Sequence, residues 1–238
     1  MNHKEKINDY CKLLEKQTAI QIIEWASQTF GTKLVLASSM GAEDQALTDM
    51  VVKANSEARI ITLDTGRLFP ETYQLIEKTQ RFYKKSIEVY FPDYKQVEPM
   101  VLTDGINLFY DSVEKRKKCC HIRKIEPLER AFKGAEAWIC GLRRDQSVTR
   151  TANKVVEWDE ANKMVKINPL ITWNEDQVWE YITLNNVPYN KLHDEGFRSI
   201  GCQPCTRAVR EGEDVRSGRW WWENPEHKEC GLHLPKSK

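Results

Sequence analysis

The chain has 238 residues, with 36 Lys and Arg against 35 Asp and Glu, and this length favours a single α/β domain. The balanced charge gives no reason to expect nucleic acid or an anionic membrane as a partner. No apolar run approaches the roughly 20 residues of a membrane-spanning helix, and the N-terminus lacks the apolar segment of a signal peptide. Seven cysteines in such a chain indicate metal or redox chemistry in the cytoplasm rather than a disulfide framework.

Hydrophobic periodicity predicts an N-terminal helix over residues 7–29, ending before Gly31. Short apolar segments then alternate with helical patterns. The predicted strands and helices are, in chain order, 33–39, 42–54, 58–64, 69–83 and 86–91. A further strand is predicted at 137–142. This alternation is typical of right-handed βαβ units, so we expect an α/β fold with an open, mostly parallel twisted sheet.

The pattern changes after the strand at 137–142. Residues 154–160 and 163–170 predict an antiparallel hairpin, and 172–186 predicts a helix capped by Thr172 or Asn174. The last part of the chain is rich in Gly, Pro, Cys and Arg and has little periodicity. We therefore expect an open α/β domain followed by a Cys- and Arg-rich C-terminal region.

Polar, glycine-containing segments follow three of the predicted strands: SSMGAED, LDTGR and GLRRDQS. Carboxyl ends of parallel strands share one edge of a sheet, and such turns offer backbone N–H groups to a phosphate. Each segment alone is better explained as an ordinary strand-to-helix turn. The basic residues near them are Arg67, Arg143, Arg144 and Arg150. Together, the three segments and these arginines predict an anionic, nucleotide-like ligand.

Four cysteines have the spacing of ligands to one metal centre. Cys202 and Cys205 form a Cys-x-x-Cys knuckle, and Cys119 and Cys120 are adjacent within the basic run KRKKCCHIRK. A disulfide between adjacent cysteines is strained, whereas all-thiolate sets fit zinc or an iron–sulfur cluster. A cubane places its irons at separate corners, so neighbouring cysteines can each bind a different iron. We therefore expect one [4Fe–4S] cluster per chain, with zinc as the alternative that the spacing leaves open.

The basic run beside the paired cysteines has two interpretations. A four-thiolate cluster carries net negative charge, which Lys118, Arg123 and Lys124 can compensate. If residues 120–124 are helical, Lys124 lies four positions from Cys120 on the same face. The other interpretation is a solvated basic surface, which is typical of charge runs. The coincidence with the paired cysteines favours charge compensation.

Cys230 stands apart from these four in a polar tail, with His227 and His233 three positions away on either side. Nearby cations and imidazoles lower a thiol pKa, and the thiolate is the nucleophilic form. The other interpretation is an incidental exposed cysteine. We expect one nucleotide-binding domain at 1–222, containing the cluster site, and a mobile tail at 223–238 that carries a nucleophilic cysteine.

These features resemble the assimilatory sulfonucleotide reductases, specifically the iron–sulfur branch that reduces adenosine 5′-phosphosulfate with thioredoxin. The resemblance extends from about Lys33 to His233. Its motifs are LDTGRLFPETY, CCHIRKIEPLERA, GLRRDQS, KLHDEGFRSIGCQPCTR, RSGRWWWE and KECGLH. The related enzymes for the 3′-phospho substrate share the tail motif but usually lack the four cluster cysteines. The resemblance implies a fold of the adenine-nucleotide α-hydrolase type and a homo-oligomer.

The resemblance also implies a mechanism in assimilatory sulfate reduction and cysteine biosynthesis. The Cys230 thiolate attacks the sulfur of adenosine 5′-phosphosulfate, AMP leaves, and a thioredoxin thiol releases sulfite from the resulting S-sulfocysteine. The cluster acts structurally and electrostatically, with Lys124 linking it to the sulfate. Catalytic roles are implied for Cys230, Lys124 and His233. Substrate-binding roles are implied for Ser38, Ser39, Leu63, Thr65, Gly141, Arg150, Arg216 and Arg219.

One position departs from the family pattern, since Met40 stands where relatives often carry serine or an aromatic residue. The strongly basic run EKRKKCC also leaves use of 3′-phosphoadenosine 5′-phosphosulfate open. An alternative function is an ATP-pyrophosphatase-type enzyme with an iron–sulfur cluster, such as a tRNA-thiolating protein. Such enzymes carry Ser-Gly-Gly-x-Asp-Ser after the first strand, which SSMGAED lacks. A non-catalytic iron–sulfur electron carrier is a third interpretation, but it has no need of Cys230.

Overall fold

The computed structural model describes residues 3–54, 56–146 and 152–224. The α-helices in these ranges are α1 (Ile7–Leu14), α2 (Ala19–Phe30), α3 (Ala42–Lys53), α4 (Pro70–Tyr83), α5 (Tyr94–Asp104), α6 (Val113–Cys120), α7 (Glu126–Ala131) and α8 (Glu175–Leu184). The strands are β1 (Leu34–Ser38), β2 (Arg59–Leu63), β3 (Glu88–Tyr90), β4 (Ala137–Ile139), β5 (Val156–Asp159) and β6 (Met164–Ile167). None of these helices is long and apolar enough to cross a membrane.

The strands form one six-stranded sheet in the order β3-β2-β1-β4-β6-β5. β1 is parallel to both β2 and β4, β4 is parallel to β6, and β5 pairs antiparallel with β6. Leu34, Val35 and Leu36 of the central strand β1 are fully buried. Strands covered on both faces have continuous apolar sequences, which is why these segments are recognisable in the sequence. The predicted open, mostly parallel α/β sheet is confirmed, and so is the predicted hairpin.

Two capping boxes decide where helices begin, and one of them corrects a prediction. The single helix predicted over 7–29 is wrong, because the chain leaves α1 and begins α2 after Thr18. There, Gln21 N donates to Thr18 Oγ1, and Gln21 Oε1 accepts from Thr18 N. Apolar periodicity on both sides concealed this local stop and start signal. At α8, Asn174 rather than Thr172 is the cap, since Gln177 N donates to Asn174 Oδ1 at 2.8 Å.

The chain divides into two compact units. The first comprises Met1–Thr62, Thr72–Glu88 and Gly134–Asn190; the second comprises Leu63–Glu71, Val89–Lys133 and Lys191–Lys238. The predicted boundary between a domain at 1–222 and a tail at 223–238 stays a prediction, because the residues after 224 lie outside the described ranges.

The second unit has a hydrophobic core of its own. Met100, Phe109, Ile122 and Trp220 are buried there, and all four proposed cluster cysteines pack in the same core. Helices α5 and α6 contribute to this core, and neither is predicted from the sequence. α5 also contains Pro99, which obscures a helical pattern in a sequence.

Candidate functional site

The four cysteines predicted to bind a cofactor meet in the core of the second unit. Cys119 and Cys120 end α6. Cys202 precedes and Cys205 ends a short 3₁₀ turn, and Cys205 N donates to Cys202 O at 2.9 Å. Within the described ranges, no group of three or more His, Cys, Asp or Glu side chains is arranged to hold a metal ion. The thiols are nevertheless close enough to influence one another, since burial raises the pKa of both Cys119 and Cys205 and the charge of Cys202 adds to the rise.

The Cys202 thiol lies among cations. Burial alone would raise the pKa of Cys202, but the nearby charges of Lys124, Arg219 and Arg123 and a hydrogen bond with Thr65 hold it below its ordinary value. The distance between Thr65 Oγ1 and Cys202 Sγ is 3.2 Å. This environment favours the thiolate, which is the form that binds metal.

The pKa values of two other thiols in this group are shifted upward, opposite to that of Cys202. Burial raises the pKa of Cys205 to about 12 and also raises that of Cys119. Lys124 counters the rise at both. Metal coordination requires deprotonated thiols, so a cofactor bound here would displace protons from Cys119 and Cys205.

A π-helical turn, His121–Ile125, follows the adjacent cysteines directly. The condition that residues 120–124 be helical is therefore met, but in the wider π form, with i to i+5 hydrogen bonds. In such a turn Lys124, four positions after Cys120 and five after Cys119, lies about one turn from both. Its charge also acts on Cys202, so one ammonium group serves thiols from both chain segments.

Arg219 and Trp220 carry buried donors that lack acceptors. Arg219 is 7% exposed, and its Nη1 donates to Ile200 O at 3.1 Å. Its guanidinium packs so closely on Gly201 that a Cβ there would lie 2.3 Å from Nη2. In the described part of the chain, neither Arg219 Nε nor Trp220 Nε1 has a hydrogen-bond acceptor. Because buried donors are almost always paired, an anion or sulfur acceptor absent from the protein itself fits this place.

The remaining predicted substrate residues of the second unit occupy ordered turns. Leu63 ends β2, and Thr65 follows it. Gly66, with φ of 69°, donates its N–H to Asp64 Oδ1 at 2.7 Å, which closes the turn. Arg216 lies one turn before Arg219, whose N–H donates to Arg216 O at 2.9 Å. The structure thus places Thr65 and Arg219 beside the cysteines and Arg216 next to Arg219 in the chain.

In the first unit, a buried carboxylate joins the loops after β1 and β4. Ser39 donates to Asp44 Oδ2 through its N–H and its hydroxyl, both at 2.6 Å, and the Gly141 backbone also hydrogen bonds to Asp44. A Cβ at Gly141 would lie 2.6 Å from Asp44 Oδ1, so only glycine allows this approach. Ser38 ends β1 beside them, and Met40 adopts a left-handed φ of 62°. Predicted residues Ser39 and Gly141 are thus brought together by a residue that the sequence analysis missed.

Burial is the dominant influence on Asp44 and raises its pKa to about 6 despite the hydrogen bonds from Ser39. Asp44 lies inside the SSMGAED motif, so the motif located it, but nothing in the sequence distinguished it from the neighbouring Glu43.

Two of the arginines expected to face an anion, Arg143 and Arg67, instead bind groups of the protein. Arg143 is buried and donates from Nε to Glu43 Oε1 at 2.9 Å, with a second ion pair to Asp145. Arg67 donates to Ile106 O and to Asn107 Oδ1, both at 2.9 Å. These two guanidinium groups therefore stabilise loops.

Three predicted site residues, Cys230, His233 and Arg150, lie outside the described residues.

Comparison with known proteins accounts for the combination of a mostly parallel α/β sheet and a cysteine-rich second unit. The Phosphoadenosine phosphosulfate reductase domain matches residues 33–208. The chain belongs to this family. It is 54% identical over 200 residues to an adenosine 5′-phosphosulfate reductase of Allochromatium vinosum, covering 84% of this chain and 78% of that protein. It is 49% identical over 202 residues to the enzyme of the same name from Burkholderia cepacia, covering 85% and 81%.

Solved structures agree. The phosphoadenylyl-sulfate (PAPS) reductase from Candida auris superposes with a TM-score of 0.74 at 32% identity, covering 87% of this chain and 97% of that chain. The FMN adenylyltransferase from Candida glabrata has a TM-score of 0.55 at 16% identity, covering 99% and 84%, and shows only the shared fold. The predicted family and the predicted fold type are both confirmed.

Proposed function

We propose that the chain reduces adenosine 5′-phosphosulfate to sulfite and AMP, with thioredoxin as reductant, in cytoplasmic sulfate assimilation and cysteine biosynthesis. The names of its close relatives support the substrate. The observation that carries the proposal is local: the orphaned donors of Arg219 and Trp220 lie in the same unit as the four cysteines and Lys124.

The types of residue present, and the charges around them, fit a [4Fe–4S] cluster. The donor set is the two buried thiols of Cys202 and Cys205 and the two partly buried thiols of Cys119 and Cys120 that pack against the same core. The cations around them suit a negatively charged cofactor. Trp220 Nε1 packs in that core as a donor without an acceptor, which the sulfur atoms of a cluster would supply. The residues that would hold it are Cys119, Cys120, Cys202 and Cys205. When bound, the cluster would supply fixed negative charge and a rigid joint between two chain segments.

The chemistry balances as two displacements at sulfur. In the first, the Cys230 thiolate attacks the sulfate sulfur, an S–S bond forms, and the S–O bond to the phosphate breaks, releasing AMP. In the second, a thioredoxin thiolate attacks Cys230 Sγ and releases sulfite. The other thioredoxin thiol then resolves the mixed disulfide, so the two electrons come from the thioredoxin dithiol.

The roles of the remaining residues follow from their chemistry. Guanidinium groups match phosphate and sulfate oxygens, and Lys124 offsets charge near the sulfate. Arg150, Arg216, Arg219 and His233 would bind the phosphosulfate end, and Leu63, Thr65, Gly141, Ser38 and Ser39 the adenosine end. Parallel assays with the 3′-phospho substrate decide whether both nucleotides are used. The homo-oligomer expected from the resemblance stays a prediction.

The deciding experiment is Cys230→Ser. Wild type mixed with adenosine 5′-phosphosulfate and no thioredoxin should carry a sulfonate on the peptide containing Cys230, and reduced thioredoxin should remove it. The variant should bind substrate but form neither adduct nor sulfite, because a hydroxyl is a far weaker nucleophile than a thiolate at neutral pH. Cys11→Ser is the matched control, since Cys11 Sγ donates to Val156 O in the first unit. An adduct on another cysteine would overturn the assignment.

The cofactor has its own test. Substituting any of the four proposed ligands by serine should remove the visible absorption of an iron–sulfur protein and the activity together. Lys124→Ala should retain that absorption and still lower kcat/KM by roughly two orders of magnitude, as expected for charge stabilisation at a reacting centre. If the wild-type protein is colourless and contains zinc, the bound metal is zinc and the cluster assignment is wrong.

A further inference from the structure

Trp220 is an unusually constrained residue in the second unit. It is 1% exposed and has a left-handed φ of 41°, which is rare for a large side chain. The guanidinium carbons of Arg116 and Arg219 lie over its ring, at 4.7 Å and 4.8 Å from the centroid. One indole therefore contacts two cations, of which only Arg219 has a place in the proposed substrate site.

Arg116 is itself held by a buried ion pair. Its Nε donates to Glu223 Oε1 at 2.9 Å and its Nη2 to Glu223 Oε2 at 2.7 Å, and the two side chains are 1% and 3% exposed. It also hydrogen bonds to Cys120. A buried pair of this kind is weak evidence for stability, because removing both charges from water offsets most of the attraction. The ion pair is therefore more informative about the position of Trp220, whose ring lies against Arg116, than about the stability of the fold.

Arg219 depends on the same ring for its position. Besides Trp220, its guanidinium contacts Ile200 O and packs on Gly201, and its charge acts on Cys202 and Cys205. Its Nε has no acceptor in the described ranges. If Trp220 shifts, one of the surfaces that orient this guanidinium is lost. Arg116 cannot replace it as an anion ligand, since Glu223 already occupies the fork of Arg116.

We propose that Arg116 is a positioning residue for substrate binding: acting through Trp220, it holds the guanidinium of Arg219 in the orientation that binds the phosphosulfate. The inference rests on the proposed function, because it takes Arg219 as a substrate ligand. It adds to the proposed substrate site the influence of Arg116, which lies about 100 positions before Arg219 on α6, the helix that carries the adjacent cysteines.

The test is a double-mutant cycle on equilibrium binding of adenosine 5′-phosphosulfate, measured by calorimetry in a Cys230→Ser background that binds without reacting. Arg116→Met should raise the Kd about tenfold, within the range of one cation–π contact. The same substitution in an Arg219→Ala background should change the Kd less than twofold. Glu223→Gln, which frees Arg116 without removing it, should act in the same direction. Arg207→Met is the matched control, since Arg207 makes a similar two-bond pair with Glu213 in this unit.

The outcomes distinguish failure of this inference from failure of the proposed function. If Arg116→Met raises the Kd equally with and without Arg219, or leaves it unchanged, the inference is wrong and the proposed function stands. If the parent protein does not bind the nucleotide, the proposed function fails and the inference with it. Unfolding by urea identifies a purely structural effect, since a loss of stability would be the same in both backgrounds. Should Arg116→Met not fold, Arg116→Lys keeps the charge opposite Glu223 while losing the planar fork, and should weaken binding in the same way.

Discussion

Replacing Gly201 by alanine places a methyl group where the guanidinium of Arg219 lies. An added Cβ would be 2.3 Å from Nη2, 2.5 Å from Cζ and 2.6 Å from Nη1 of Arg219, well inside van der Waals contact. Gly201 is not among the glycines with positive φ, so alanine suits its backbone. The obstruction falls on the end of a flexible side chain, and we expect the guanidinium to move while the fold remains.

The expected loss of affinity is set by the hydrogen bonds that Arg219 would no longer make to the substrate. Hydrogen bonds to charged groups contribute about 1.5–3 kcal/mol, so displacing this guanidinium should raise the Kd for adenosine 5′-phosphosulfate roughly 10- to 150-fold. The free energy of unfolding should change by less than about 1 kcal/mol, as for a substitution that leaves the core intact. Calorimetry in the Cys230→Ser background and urea unfolding of the same protein measure the two quantities.

Two companion variants sharpen this prediction. Gly201→Ala in an Arg219→Ala background should leave the Kd unchanged, because the obstructed group is gone. Gly218→Ala offers a contrast, since its Cβ would lie 2.3 Å from the carbonyl oxygen of Arg207, which cannot move aside, and it should destabilise the fold instead. Unaltered affinity in Gly201→Ala, or a loss that persists without Arg219, would refute the reasoning.

Three further predictions concern the first unit. Gly141→Ala brings a methyl group to 2.6 Å from the buried Asp44 carboxylate and should weaken AMP binding at least tenfold by calorimetry, with an unchanged Kd as the contrary result. Burial raises the pKa of Asp44 to about 6, so its contribution to stability is complete below its ordinary value of 3.8 and is lost as pH rises through 6. Between pH values well below 3.8 and well above 6, wild type should therefore lose about 3 kcal/mol of unfolding free energy relative to Asp44→Asn, and equal pH slopes in urea titrations would contradict this. Tyr181→Phe removes a 2.6 Å hydrogen bond to the buried Asp49 and should cost about 2 kcal/mol in urea unfolding, whereas the exposed Tyr94→Phe should cost almost nothing.

Local signals in the sequence were sufficient for the sheet and for the grouping of the cysteines. The runs at 33–39 and 58–64 predicted their strands because a doubly covered strand is apolar throughout. The thiol set was recognisable because Cys-x-x-Cys and adjacent cysteines are rare spacings. The capping residues before α2 and α8 are equally local signals, but apolar periodicity concealed Thr18, and the sequence left both Thr172 and Asn174 open as the cap of α8.

Contacts between distant residues could not be read in the same way. Glu43 neutralises Arg143, and Glu223 neutralises Arg116, across about 100 residues in each pair. Only the folded chain shows which arginines remain available to an anion. Asp44 was missed for the same reason, since its importance depends on the close approach of Gly141 from the loop after β4. Functional roles that depend on residues after 224 stay predictions.

The order of the chain in the second unit bears on how the protein is made. That unit is assembled from three separate stretches, and the cysteines it gathers come from the second and third of them. During synthesis the last stretch follows only after the first unit's residues are complete at Asn190. A cluster held by both cysteine pairs would close a loop of about 80 residues, worth roughly 4–5 kcal/mol in the chain-entropy description. The second unit is therefore expected to fold after translation, and delivery of the proposed cluster would be the step that completes it.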